Sequence, residues 1–147
     1  MASIGGNLMA AVAVGVRWAT IEHRQGREDH SEHLSDPGWE QIEEGILALD
    51  GKSRTIVGMM ISPDPEQYMT ISGRWGGRAK VEATPDNRQF FILLDATRAD
   101  RKVLVYVGGQ DVEFRENWLV PLDWALEAAR HYFEAGELKS GLNWVRR

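Results

Sequence analysis

Apolar residues alternate with small or polar ones over residues 11–21, where Val12, Val14, Val16 and Trp18 fall on one side and Ala13, Gly15, Arg17 and Ala19 on the other. That period of two predicts a half-buried first strand. Residues 1–8 show no period and are expected to be frayed. The next stretch, 22–35, is polar and rich in His and acid, without a sustained apolar period, and reads as a loop. It runs into Ser35-Asp36-Pro37, where Asp36 is suited to cap a helix and Pro37 to occupy its first turn. From there Trp39, Ile42, Ile46 and Leu49 recur at helical spacing and predict an amphipathic helix ending near Asp50-Gly51.

Five short runs follow, at 55–61, 68–75, 78–83, 89–94 and 102–107, rich in β-branched and aromatic residues and punctuated by Pro, Gly, Asp and Asn. They predict an antiparallel meander. Gly76-Gly77 reads as a hairpin turn and Gly108-Gly109 as a strand end, with a less regular stretch through Phe114 and Trp118 to Pro121. Leu122, Ala125, Leu126, Ala129 and Phe133 mark a second helix stopped by Gly136, and the tail carries Leu142 and Trp144. The order predicts an α+β fold, a mostly antiparallel sheet of about six strands with both helices on one face. At 147 residues and 43% apolar content, the chain is expected to form one domain over 1–147.

Composition removes whole classes of chemistry. With no cysteine, disulfides, thiolate nucleophiles and cysteine-ligated zinc or iron–sulfur sites are excluded. The longest apolar run, 8–16, is too short to cross a bilayer and has no basic residue before it, so a cytoplasmic protein without membrane contact is expected. Neither Gly-Gly pair belongs to a phosphate-binding fingerprint, and no G-x-S-x-G elbow is present. His23, His30 and His33 lie close to Glu22, Glu28, Asp29 and Glu32, but their spacing matches no zinc pattern, so they read as solvated loop residues. His131 reads as a partly exposed helix residue. No metal or other cofactor is expected. The acids at 28–50 would allow a carboxylate acid–base pair, a pattern that any acidic surface imitates.

The net charge is −5, from 17 basic and 22 acidic residues, which argues against direct nucleic-acid binding. Its distribution says more. Residues 28–50 hold eight acids and no Lys or Arg, so the rest of the chain is left at +3. On the first helix Glu40, Glu43, Glu44 and Leu47 share a face opposite the apolar stripe. Like charges four apart cost an isolated helix about 0.2–0.5 kcal/mol, so helix stability does not require this ridge. A solvated face is one reading, and a docking surface for a basic macromolecule is the other. The partner-binding residues expected on the second reading are Glu32, Glu40, Glu43, Glu44 and Leu47, with Trp75 at its hairpin tip as an aromatic anchor.

The C-terminal part carries a recognisable series. A strand ends in Gly108-Gly109-Gln110, a bridge reaches Trp118, a helix follows through Ala125 and Ala129, and Gly136-Glu137-Leu138 leads to Leu142-Asn143-Trp144. Over roughly residues 55–144 this resembles the first-numbered immunity-protein family of bacterial polymorphic toxin systems. The resemblance implies a non-enzymatic α+β protein that neutralises a cognate toxin in the producing cell. Members often accompany deaminase toxins acting on nucleic acid bases, so the expected partner is a basic, nucleic-acid-acting toxin blocked at its substrate-binding surface. Segment 22–50 shows the least of this family pattern. The alternatives are a small-molecule-binding α+β module or a small enzyme dependent on carboxylates or histidine.

Overall fold

In a computed structural model the described residues are 15–61 and 66–147. The elements are β1 (Trp18–Ile21), β2 (Arg24–Gln25), β3 (Glu28–Asp29), β4 (Glu32–Ser35), α1 (Trp39–Leu47), β5 (Ile56–Met60), β6 (Tyr68–Trp75), β7 (Arg78–Thr84), β8 (Phe91–Leu93), β9 (Lys102–Val107), β10 (Gln110–Arg115), β11 (Leu119–Pro121), α2 (Leu122–Ala135) and β12 (Trp144–Arg146). The fold is α+β. Among the described residues the main sheet has eight antiparallel strands, in the order β12-β8-β7-β6-β5-β1-β4, with β11 also paired to β7. Strands β5 to β8 form the expected meander.

Several expectations change. The stretch 22–35 is not a loop: it holds a small β2–β3 hairpin and then β4, which pairs with β1 as the edge strand. Its apolar period is missing because an edge strand in water needs only one inward residue, here half-buried Leu34. The run at 102–107 does not continue the meander. It pairs with β10 in a separate hairpin, closed by Gly108-Gly109 as a two-residue turn with φ of 61° and 90°. Both positive φ values suit glycine, so the pair is a turn and not merely a strand end. The free edge of β7 is already occupied, by β8 along one half and β11 along the other. The first predicted strand is observed over Trp18–Ile21, and its residues 11–14 and the predicted frayed 1–8 lie outside the described residues.

Alternation along β7 separates two cores. Ala79, Val81 and Ala83 face the helices, joining Ile42, Ile46, Val57, Met59, Met69, Ile71 and Leu93 in the main cluster. Burying a side chain such as Ile42 or Ile46, both 0% exposed, contributes about 1.5–3 kcal/mol. Buried Ala125, Ala128 and Ala129 let α2 lie close to the sheet. On the opposite face the β9–β10 hairpin covers Val105, Phe114 and Leu119, together with Trp75 and Trp118. Lys80 points into this second cluster, with its ammonium 4.6 Å from the Phe114 ring centroid and 5.2 Å from that of Trp118. Burial pulls the Lys80 pKa below its usual range, while Glu82, at 3.1 Å, works against that shift.

Candidate functional site

Helix α1 is built so that one side is buried and the other is left acidic. Its apolar residues Ile42 and Ile46 sit in the main core, and Gly45 allows the helix to press on β1 and β5. A Cβ at Gly45 would come within 3.0 Å of Ile21 Cδ1. The helix begins two residues later than its sequence signals suggest. Gly38 is the N-cap, and the Gln41 side chain returns to accept a hydrogen bond from the Gly38 N–H at 2.9 Å. Asp36 does not cap: its backbone has φ of 47° and its carboxylate accepts from Arg17 Nε at 2.7 Å.

The opposite side of α1 exposes Glu40, Gln41, Glu44 and Leu47, with Glu43 half-buried. Leu47 is 53% exposed at the end of this face. Beside the helix, β4 carries Glu32 and Leu34 on the side facing it. A cleft of about 310 Å³ separates the two elements, lined by Glu32, Leu34, Gln41, Glu44, Ala48 and Arg54 among others. Glu32 and Glu44, twelve positions apart in sequence, thus face one groove.

None of Glu32, Glu40, Glu43 and Glu44 makes an ion pair or side-chain hydrogen bond among the described residues, whereas several acids elsewhere do. Asp36 is held by Arg17, Asp95 by Arg78, Glu116 by Arg98 and Arg101, and Glu127 by Lys139. Among the described residues the outer edge of β4 is also unpaired. Asp36 N–H bonds to Arg17 carbonyl and His30 N–H to His23 carbonyl, so Leu34 and Glu32 turn their backbone groups toward β1. By the same alternation the N–H and C=O of His33 and Ser35 point away from the sheet.

Trp75 is not part of this surface. It is half-buried, packed in the hairpin-side cluster, and borders a shallow depression with Gly76, Gly77, Arg78 and Arg98. The histidines are also dispersed. His30 Nε2 lies 3.1 Å from Glu28, His33 Nδ1 lies 3.3 Å from Thr20 Oγ1, and Nε2 of His131, on α2, is 3.6 Å from Glu137 just beyond the helix. Among the described residues no group of three His, Asp or Glu side chains is placed to hold a metal ion.

Sequence reading missed one polar centre altogether. Glu22 and Thr55 are both buried and bonded to each other, and both lie in stretches assigned to loop or strand end. An acid directly after an apolar strand was the only available sign.

A family model described as Immunity protein Imm1 matches residues 30–146. The chain belongs to the Imm1 immunity protein family. The match begins inside the acidic segment, so β4, α1 and their glutamates fall within the Imm1 region, which is wider than the C-terminal motifs alone indicate. Its function is accordingly immunity against a toxin, and its partner is a cognate toxin. No curated protein matches the chain. No helix among the described residues is long and apolar enough to cross a membrane.

Proposed function

We propose that the chain neutralises its toxin by docking through the acidic face of α1 and β4, using Glu32, Glu40, Glu43, Glu44 and Leu47. Its own side chains make and break no bond. The observation that carries this reading is the unmatched charge: among the described residues four glutamates on adjoining elements make no ion pair, whereas Glu22 and Asp36 in the same part of the chain are each paired with an arginine. An uncompensated negative field attracts a basic macromolecule and speeds its encounter, and like-charged partners are rejected. Leu47 supplies an apolar contact within the charged surround, the usual arrangement of an interface anchor.

The partner this face suits is a toxin acting on nucleic acid. Such a toxin needs a basic groove for phosphates and, as a deaminase, a pocket for an extruded base. An acidic ridge seated in that groove excludes the substrate. The encounter takes place in the cytoplasm of the producing cell, where the toxin would otherwise act.

The test is titration of the toxin encoded beside this gene against the wild-type chain and a Glu40→Lys, Glu43→Lys, Glu44→Lys variant, at low and high salt. The expected result is a loss of about tenfold or more in affinity and a flatter salt dependence. Equal affinity with equal salt dependence would remove the ridge from the interface. Binding that survives while nuclease or deaminase assays show the toxin still active would remove occlusion.

A further inference from the structure

The unpaired side of β4 is short and well defined. In the antiparallel register with β1, Leu34 lies opposite Ala19 and Glu32 opposite Ile21, and these residues bond inward. The outward positions are therefore Ser31, His33 and Ser35. Ser31 N–H is already taken by the Asp29 carboxylate at 3.0 Å. The backbone N–H and C=O groups of exposed His33 and Ser35 have no partner among the described residues. Two residues at alternate positions, each offering a donor and an acceptor, are what a further antiparallel strand bonds to, about 4.8 Å outside β4.

Charge decides which strand fits. Residues 28–50 hold eight acids and no Lys or Arg. Side chains of a strand added beside β4 would alternate between the two faces of the sheet, and those on the helix side would border the cleft lined by Glu32, Leu34 and Glu44. Arg54 is the basic residue of that lining, and the two carboxylates outnumber it. Cations at alternate positions of the incoming strand would therefore meet unpaired glutamates. Its other row of side chains would lie on the opposite face, beside His33, Ser35 and half-buried Trp18 and Met60. A second copy of this chain would bring the same acids to the same edge and is repelled.

We infer, on the reading that the toxin docks at the acidic face, that it does so by strand addition: an extended toxin segment with Lys or Arg at alternate positions pairs with the outer edge of β4 at His33 and Ser35. Main-chain bonds fix its register, and its cations in the groove of Glu32 and Glu44 supply selectivity.

The experiment titrates the toxin encoded beside this gene against the full chain, His33→Pro and His33→Ala, and follows amide hydrogen exchange of the wild-type chain free and bound. Proline at 33 removes an N–H that the β1 pairing does not use, at an edge position where strands tolerate it. Alanine removes only the side chain, with its contact to Thr20 Oγ1. Affinity should fall about tenfold or more in His33→Pro and stay within about threefold in His33→Ala. In the free chain the amides of His33 and Ser35 should exchange faster than those of Glu32 and Leu34, and in the complex they should slow by about tenfold or more. Equal affinities of wild type and His33→Pro, or equal losses in the two variants, would overturn strand addition. So would unprotected His33 and Ser35 amides in the wild-type complex, a readout that stands even where His33→Pro does not fold. Unprotected amides together with a loss on reversing Glu40, Glu43 and Glu44 to Lys would leave docking at the acidic face in place and remove the strand alone. Insensitivity to those lysines would remove the acidic-face reading and the basic segment with it.

Discussion

The carboxylate of Glu22 and the side chain of Thr55 form a buried pair that ties three separate parts of the fold together. Glu22 Oε1 accepts from the Thr55 backbone N–H at 2.8 Å and from its hydroxyl by a very short bond. The same Thr55 hydroxyl oxygen accepts from Gly108 N–H at 2.9 Å, and the Thr55 carbonyl accepts from Gly73 N–H at 2.8 Å. One residue therefore joins the end of β1, the irregular part of β6 and the tip of the β9–β10 hairpin.

Replacing Thr55 by Val keeps the shape and removes the hydroxyl, leaving Gly108 N–H without its acceptor and Glu22 short of one donor. Urea unfolding should show a loss of about 1–3 kcal/mol. Thr55→Ser keeps both bonds and should lose only about one methyl group's worth, about 0.8 kcal/mol. Equal losses in the two variants would show that the methyl, and not the hydrogen bonds, matters.

Gly73 is where the hairpin rests on the sheet. It has φ of 74°, and a Cβ placed there would lie 2.7 Å from Val105 Cγ1 and 3.4 Å from Phe114 Cε2. Gly73→Ala therefore meets a backbone conformation that L residues avoid as well as a steric clash, and should cost about 1–3 kcal/mol by thermal or urea unfolding. Gly73→Ala combined with Val105→Ala should recover part of the contact penalty but none of the backbone strain.

Acid should unfold the protein through a small group of held carboxylates. For Asp95, burial pushes the pKa up, but bonds from Thr97 and Arg78 outweigh it and leave the net shift downward. For Glu116, the hydrogen bond from Arg101 is the main cause of a downward shift, with Arg98 adding to it. A carboxylate whose folded pKa is depressed stabilises the fold above its unfolded value, about 4, and loses that contribution as pH falls toward the folded value. Urea midpoints should thus be flat from neutral pH to about 5 and decline below about 4. Asp95→Asn should show a shallower decline, and an unchanged slope would assign the acid sensitivity elsewhere.

Charge changes on the acidic face should be nearly silent for stability. Glu44 lies in the last turn of α1, where a negative charge opposes the helix dipole, and also repels Glu40 four residues away, while Glu43 sits at the centre of the helix. Glu43→Lys and Glu44→Lys should change unfolding free energy by no more than about 0.5 kcal/mol, with Arg54 across the cleft limiting any gain at 44. A larger loss would mean that these glutamates support the fold, and a binding defect in the variants would then need another explanation.

The sequence by itself determined the elements with strong periods and the chemistry that is missing. Ile42 and Ile46 set the buried side of α1, Ala125 and Ala129 set that of α2, and Gly136 ends the latter in a left-handed cap. Helical and strand periods are local, so they survive being read from one chain. The acidic ridge was legible for the same reason, since positions three and four apart on a helix must share a face. Tertiary structure alone decided which strands are neighbours. β9 looks like a meander strand but pairs with β10 off the main sheet, and the polar 32–35 segment becomes the edge strand that brings Glu32 to the groove of Glu44. It also decided that Trp75 packs inward and that Tyr132 is buried with its hydroxyl unpaired among the described residues. Pairing, packing and the matching of buried polar groups depend on residues distant in sequence, and no local period encodes them.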